Sequence, residues 1–444
     1  MTHNTPPFEG FSKLTFEQRM SRLREFVSLS DDEAQALAGA GAHGLTVDQA
    51  ENLIENVIGV YALPIGLATH FKIDGRDLAV PMAVEETSII AAASAAAKWV
   101  RRNGGFRTRA LGKHIIGQIQ FPAIEDVPGF AAKINAMSEK LIAQANGLIP
   151  NLVARGGGVV GLRIRWLDRP DGEKMAVLHL LCDPCDAMGA NLINQVCEGL
   201  KPQLEELTGE RIGLCILSNL VDTKLVEATC EISEIAPSLG RAIEEATLFA
   251  NLDPYRCATH NKGVMNGIDP VLIATGNDWR AVEAGMHANA GLGGKCRSMT
   301  EWKYSGGVLY GKLCAPIAVG TVGGVTRIHP AAKVALKILG VEHAEELARI
   351  LAATGLAQNL AALRALCTEG IVRGHMRLHA SNLAIMAGAS EHEVRALQDR
   401  LRDEENITLA RARELLGEIR AVSLPRDSQE PARPYGATGS PSLH

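Results

Sequence analysis

The densest run of chemically capable residues lies in the middle of the chain. Between Asp253 and Asp269 stand Arg256, His260, Asn261, Lys262 and Asn266, with apolar residues on both flanks. Asp278 follows Lys262 by sixteen residues inside a second polar cluster, Gly276-Asn277-Asp278-Trp279-Arg280. A lysine near an aspartate in a partly dry pocket is a fixed cation whose charge the carboxylate sustains, and such a cation polarises a carbonyl oxygen. Taken singly, each of these residues reads more plainly as a surface ion.

Other patterns match a motif but lack its context. Gly39, Gly41 and Gly44 spell GxGxxG, and so do Gly156, Gly158 and Gly161. A dinucleotide fingerprint needs a strand before the glycines and a helix start after them; the first run follows a helix and the second leads into a strand. Cys182 and Cys185 have CxxC spacing without the second ligand pair that zinc requires, and read as structural thiols. His375 and His379 share a helix face at i, i+4, but Met376 stands where a zincin has glutamate. No metal is assigned.

The chain that must position these residues has 444 of them, enough for about three domains. Lys plus Arg number 45 and Asp plus Glu 50, a net charge of −5 with no basic excess for a phosphate backbone, so nucleic acid is excluded as the main partner. Hydrophobic residues make up 46%, which excludes bulk disorder. No uninterrupted apolar run approaches the roughly 18 to 20 residues of a membrane helix, and the N-terminus lacks the basic start and apolar run of a secretory signal. Nine scattered cysteines read as reduced thiols, and the location expected is cytoplasmic.

Periodicity predicts helices from Thr15 to Gly41 with a cap at Ser30 or Asp31, then one helix over residues 47–58. Residues 61–84 alternate around Asp74-Gly75 and predict a hairpin, and the alanine-rich 88–100 a helix. Between about 115 and 217 four strand-like runs enclose helices at 131–146 and 191–207, a compact α+β unit set into something larger. From His375 to about 422 the chain is helical and charged, and the proline-rich end from 423 is expected to be disordered.

Seven segments then fall in one order. They are Glu55 to Gly59, Val84 to Ile89, Asp186-Ala187-Met188-Gly189-Ala190-Asn191, Thr259 to Gly263, Gly276-Asn277-Asp278, Gly320 to Gly324 and Gly374 to Ala380. Together they resemble the motifs of 3-hydroxy-3-methylglutaryl-coenzyme A reductase, in its soluble bacterial class II branch, from about residue 15 to 420. The resemblance implies a four-electron reduction of hydroxymethylglutaryl-CoA by two NAD(P)H to mevalonate and free CoA, through a hemithioacetal and mevaldehyde, or the reverse. It places Lys262, supported by Asp278, on the thioester oxygen. It makes Glu86 the acid for carbonyl reduction and His379 the proton donor to the departing CoA thiolate. Glu85 and Glu86 diverge in direction, and Glu86 is the one matched. Arg256 is implied to pair with the substrate carboxylate, with Ser88 and Asn266 as hydrogen-bonding neighbours.

By the same resemblance the fold is α+β and not Rossmann. A discontinuous large domain, 1–110 and 223–376, binds acyl-CoA and dimerises. A small ferredoxin-like domain, 111–222, binds the dinucleotide, residues 377–422 form a C-terminal flap hinged near Gly374, and 423–444 a tail. The cofactor residues carried over are Asp186, Met188, Gly189 and Asn191, with Asn219 added; a helix starting at that motif would offer free N–H groups to the pyrophosphate. Residues 146–150 hold no acid for the adenosine ribose and no basic cluster for a 2′-phosphate is evident, so the sequence leans to NADH over NADPH. Glu55 to Gly59 lies in the family's dimer contact, which implies at least a homodimer. A two-electron hydroxy-acid dehydrogenase and a noncatalytic acyl-CoA-binding protein are the alternatives. The first would consume one nicotinamide and release no thiol; the second would have no use for proton donors.

Overall fold

The computed structural model describes residues 7–38, 44–368, 370, 380, 383–402, 404 and 407–423. After a 3₁₀ turn at Phe11–Lys13 come three short α-helices: α1 (Phe16–Phe26), α2 (Asp31–Ala38) and α3 (Val47–Glu51). Each starts at a hydroxyl residue whose side chain accepts from the N3 backbone N–H while the N3 side chain accepts from its own: Thr15 with Gln18, Ser30 with Glu33, Thr46 with Gln49. The helix expected over 47–58 is corrected to one that stops at Glu51; Asn56, at φ 54°, is left-handed and cannot continue it.

Strands β1 (Ile65–Ile73) and β2 (Arg76–Ala83) form the expected hairpin, with Asp74 (φ 49°) and Gly75 (φ 84°) both left-handed as a two-residue turn of the favoured twist requires. Then come α4 (Ile89–Arg102), β3 (Arg107–Ala110), β4 (Ile115–Ile124), α5 (Val127–Ala136), α6 (Ser138–Gly147), α7 (Pro150–Val153), β5 (Gly158–Asp168), β6 (Lys174–Asp183), α8 (Ala190–Thr208) and β7 (Cys215–Ser218). The single helix expected over 131–146 is two, because Met137 sits at φ −104°, ψ 5° and breaks the turn between α5 and α6.

The chain continues through β8 (Leu225–Ile232), α9 (Pro237–Leu252), α10 (Pro254–Ala274), α11 (Trp279–Ala290), β9 (Thr300–Ser305), β10 (Val308–Pro316), α12 (Val325–Ile328), α13 (Pro330–Leu339) and α14 (Ala344–Cys367). Two four-stranded antiparallel sheets result, in the orders β5-β6-β4-β7 and β3-β8-β10-β9. Each has its own core. Ile119, Leu178, Leu180, Val196 and Leu204 are buried between the first sheet and its helices. Val80, Val100, Ile268, Leu313, Leu351 and Leu360 belong to the larger core around α10 and α14.

The chain crosses between the two sheets twice, and the crossings are laced together. Leu111 N–H donates to Leu225 O (2.8 Å), and Thr223 Oγ1 donates to His114 O (2.7 Å). A Cβ on Gly112 would lie 2.3 Å from Thr223 O, so only glycine allows this approach.

The 24-residue α14 is long and apolar enough to cross a membrane by length and composition alone, which a search for uninterrupted apolar runs overlooks. Most of it is buried in the larger core, as a central helix of a globular unit would be. The chain divides into the units Met1–Ile371 and Val372–His444. In the second, α15 (Glu391–Arg402) and α16 (Leu409–Ser423) bury Leu397, Leu401, Leu415 and Leu416 and are tied by Arg420 to Glu393 (2.7 Å).

The reading of nine reduced thiols is also corrected. Cys257, in the first turn of α10, is disulfide-bonded to Cys296 in the loop after α11, and seven cysteines are free. Asn261 docks that loop on α10, which brings together two sulfurs 39 residues apart.

Candidate active site

Helix α10 carries most of the polar cluster, and its start is fixed. Asp253 accepts from Arg256 N–H (2.8 Å), Pro254 takes the first helical position, and the helix runs 21 residues. Within Thr259-His260-Asn261-Lys262 the members divide by helix face. His260 and Asn261 point inward: His260 Nε2 meets Ser298 Oγ (2.7 Å), Thr300 Oγ1 (2.8 Å) and Asn359 Nδ2 (3.1 Å), and burial lowers its pKa to about 4, leaving a neutral anchor. Asn261 Nδ2 donates to Arg297 O (2.9 Å), and its Oδ1 accepts from Met299 N–H (3.0 Å).

Lys262 points outward. Its Nζ lies 3.4 Å from Glu86 Oε2, and Glu86 sits in the bend between β2 and α4. Of the adjacent glutamates, Glu86 is the one that meets the lysine. Asp278 is not joined to Lys262: its Oδ1 caps α11 by accepting from Ala281 N–H (3.2 Å) and pairs with Arg280 (3.3 Å). The lysine–aspartate pair expected from the sequence is thus a lysine–glutamate pair in this structure, because Asp278 is held at a helix start.

Ser88 is left-handed at φ 79° at the head of α4, makes no cap bond, and leaves its Oγ buried without a hydrogen-bond partner among the described residues. A hydroxyl held this way costs stability unless something outside the chain satisfies it. Arg256 is partly buried, burial lowers its pKa, and among the described residues no carboxylate forms an ion pair with it. Asn266 lies one turn beyond Lys262 on the same face of α10.

The three glycine- and asparagine-bearing motifs converge. Asn277 Oδ1 accepts from Gly320 N–H (2.8 Å), and Thr321 N–H donates to Asp186 O (2.9 Å). A Cβ on Gly320 would stand 2.7 Å from Met188 N, and one on Gly189 2.5 Å from Ile115 Cδ1. Gly189 (φ 90°) starts α8, whose first N–H groups have no side-chain cap. Met188, Gly189, Asn191, Asn277, Asp278 and Thr326 face one cleft of ≈ 590 Å³. A second cavity of ≈ 590 Å³, lined by Asn151, Arg155, Cys185 and Asp186, shares Ala187, Leu192 and Val322 with it. Asn219 and Met188 line a smaller recess beside α11. Uncapped helix N–H groups beside glycine-only approaches fit a dinucleotide pyrophosphate.

Asp186 has a further task that spacing could not show. Its Oδ1 accepts from Ala344 N–H at the start of α14 (2.9 Å), and both oxygens lie 3.3 Å from His343 Nδ1, which raises the histidine pKa. His343 and Arg155 were not singled out from the sequence, and Asn277 entered only as a member of its motif; Arg155 stands just before the glycine triplet, the one signal that was available. Asn146 is committed elsewhere, bonded both ways to the Val159 backbone (2.7 and 3.0 Å). Gly158 opens β5, as the rejection of that glycine run requires, while residues 39–43 of the other run lie outside the described residues. Cys182 is buried and its thiol is pushed up to about 12, far from thiolate chemistry. His375, His379 and Gly374 lie outside the described residues.

Comparison with known proteins places this geometry. The sequence profile of the hydroxymethylglutaryl-coenzyme A reductase family matches residues 15–380. The chain is 46% identical over 415 residues to 3-hydroxy-3-methylglutaryl-coenzyme A reductase of Archaeoglobus fulgidus, covering 93% of this chain and 94% of that one. It superposes on the Streptococcus pneumoniae enzyme with a TM-score of 0.79 at 37% identity, over 93% of this chain and 99% of the other. A second S. pneumoniae structure, described as class II and bound to NADPH in open conformations, superposes at 0.77, with 37% identity over 92% of this chain and 100% of the other. With a family match over most of its length, the chain belongs to the hydroxymethylglutaryl-coenzyme A reductase family.

Proposed function

We propose that this protein interconverts hydroxymethylglutaryl-CoA and mevalonate plus CoA, a four-electron change through a hemithioacetal and mevaldehyde. The observation that carries the reading is the Lys262–Glu86 pair, a cation and an acid brought within 3.4 Å from two distant elements. In this reading Lys262 stabilises the negative charge that develops on the thioester oxygen, and Glu86 supplies the proton as that oxygen becomes a hydroxyl. Asp278 orders the start of α11 beside the cleft and supports the lysine through the field of its charge. His379 donates to the CoA sulfur as thiolate leaves. Arg256, Ser88 and Asn266 hold the substrate carboxylate; a guanidinium with no carboxylate partner among the described residues and the orphaned Ser88 Oγ support this role.

The dinucleotide, when bound, supplies hydride. Met188, Gly189 and Asn191 at the α8 start would hold its pyrophosphate, and Asn219 lies in the adjoining recess. We propose NADPH rather than the NADH to which the sequence leaned. Arg155 lines the neighbouring cavity and supports 2′-phosphate recognition, and a relative is known bound to NADPH. Residues 1–110 with 223–376 and the inserted 111–222 then serve as acyl-CoA and dinucleotide domains, with 377–422 as a C-terminal helical flap. The β-α-β-β-α-β order and separate core of the insert support the ferredoxin-like reading. A homodimer is proposed from unpacked apolar residues: Ile54, fully exposed Ile58 and Tyr61 after α3, and Phe249 and Leu252 at the end of α9.

The test measures nicotinamide oxidation with hydroxymethylglutaryl-CoA while free CoA is titrated with a thiol reagent. Two nicotinamides per thiol, with NADPH the better donor, is the expected result. One nicotinamide and no thiol would mean a two-electron dehydrogenase; binding without oxidation would leave an acyl-CoA-binding protein.

A further inference from the structure

On α10 the outward stripe that carries Lys262 continues through Asn266 to Asp269, at i, i+4 and i+7. Asp269 is not a surface acid. Its carboxyl is within hydrogen-bonding reach of Glu283 on α11, and Asp269 Oδ1 is buried with no donor against it. Two carboxylates cannot hydrogen-bond to each other; one must carry a proton to become the donor. Among the described residues of the elements packed on α10, namely α4, α9, α11, α13, α14 and β2, Glu283 is the one charged group that acts on Asp269, and none of them supplies a compensating cation. Burial and the neighbouring carboxylate both push the Asp269 pKa well above the usual carboxylate range, so the pair retains a proton at neutral pH.

The position gives this proton a consequence. Helical rise puts Asp269 about 4.5 Å along the axis from Asn266 and about 10 Å from Lys262, and side chains lean back toward the helix start. A face proposed to receive a substrate carboxylate would then have two acids one turn away. With the shared proton the pair carries one negative charge; without it, two, in a setting where charge is poorly screened.

We propose that Asp269 and Glu283 form a proton-sharing acid pair that limits the negative charge beside the substrate-binding face of α10, and that loss of the shared proton to solvent at alkaline pH weakens binding of the anionic thioester. Asp269 and Glu283 are positioning residues here, acting on the substrate through their field. The inference rests on the substrate reading given above.

Two measurements on the full-length protein separate its failure from the failure of that reading. The first needs no turnover: infrared difference spectra of the carbonyl stretch, titrated from acid to alkaline pH, should show a protonated carboxyl at neutral pH that disappears in Asp269→Asn. Its absence in the wild type at pH 7 overturns the pair. The second is calorimetric binding of hydroxymethylglutaryl-CoA, with KM in parallel, across the same pH range. Wild-type affinity should fall about five- to tenfold as the carboxyl band titrates, the effect of one added charge at this range, while kcat changes little. Asp269→Asn and Glu283→Gln should bind equally across the range. If both variants keep the wild-type fall, or the wild type shows none, the pair is structural only. A wild type that shows the carboxyl band yet neither binds nor reduces the thioester fails at the proposed function and removes the basis of the inference with it.

Discussion

Lys262 Nζ on α10 lies 3.4 Å from Glu86 Oε2 in the bend between β2 and α4, although 176 residues separate the two along the chain. Both side chains are well exposed, at 62% and 42%, so solvent screens the pair and it contributes little to the fold. A pair that is weak in stability terms, with its lysine on a long helix and its glutamate in the bend between β2 and α4, is available for chemistry. Lys262→Ala should therefore lower kcat by about two to three orders of magnitude while shifting unfolding stability by less than about 0.5 kcal/mol. Nicotinamide oxidation and thermal unfolding read the two quantities. A variant with more than a tenth of wild-type turnover would remove Lys262 from the reaction.

Ser88 combines a left-handed backbone with an orphaned hydroxyl. Loss of the hydroxyl in Ser88→Ala should raise the thioester KM about tenfold with little change in kcat. Ser88→Gly should raise KM equally yet gain up to about 1 kcal/mol in stability, since glycine adopts this φ without strain. If the glycine variant were destabilised, the backbone would not be holding the strain described.

Arg155 lines the second cavity: its carbonyl oxygen accepts from Cys185 Sγ (3.7 Å), and its side-chain Nε donates to Asn151 O (3.2 Å). Arg155→Gln should raise KM for NADPH about tenfold and leave KM for NADH within about twofold. Equal loss with both donors would show that Arg155 shapes the cavity without reading the 2′-phosphate.

The Asp186–His343 contact ties the α8 motif to the start of α14 and depends on pH. Asp186 raises the His343 pKa above 6.5, so the stabilisation from the protonated ring is fully present below 6.5 and fades as the pH rises through the raised value. Thermal midpoints of wild type and His343→Gln should therefore differ most in mild acid and converge at alkaline pH. Curves that differ by the same amount at every pH would show that charge has no part in the tie.

Ile58 is fully exposed and Tyr61 nearly so, on a segment most of whose residues are exposed. Light scattering at micromolar concentration should show at least a dimer, and Ile58→Glu should shift it toward monomer with loss of turnover. A wild-type monomer with full activity would overturn both the dimer and the role of this segment.

Local physics made much of this molecule readable from its residues. The Asp74-Gly75 hairpin, the cap at Ser30, and the strands of the first sheet depend on neighbours a few positions away, and the sequence by itself determined them. The motifs also identified the chemistry on offer, because the residue types carry it. What only the tertiary structure decided are pairings across long separations: Lys262 with Glu86 in place of Asp278, Asp186 with the start of α14, Cys257 with Cys296, and Asp269 with Glu283. Periodicity places a residue on a face. Which of two acids meets a lysine depends instead on where separate helices and strands come to rest, and that is set by burial summed over whole cores.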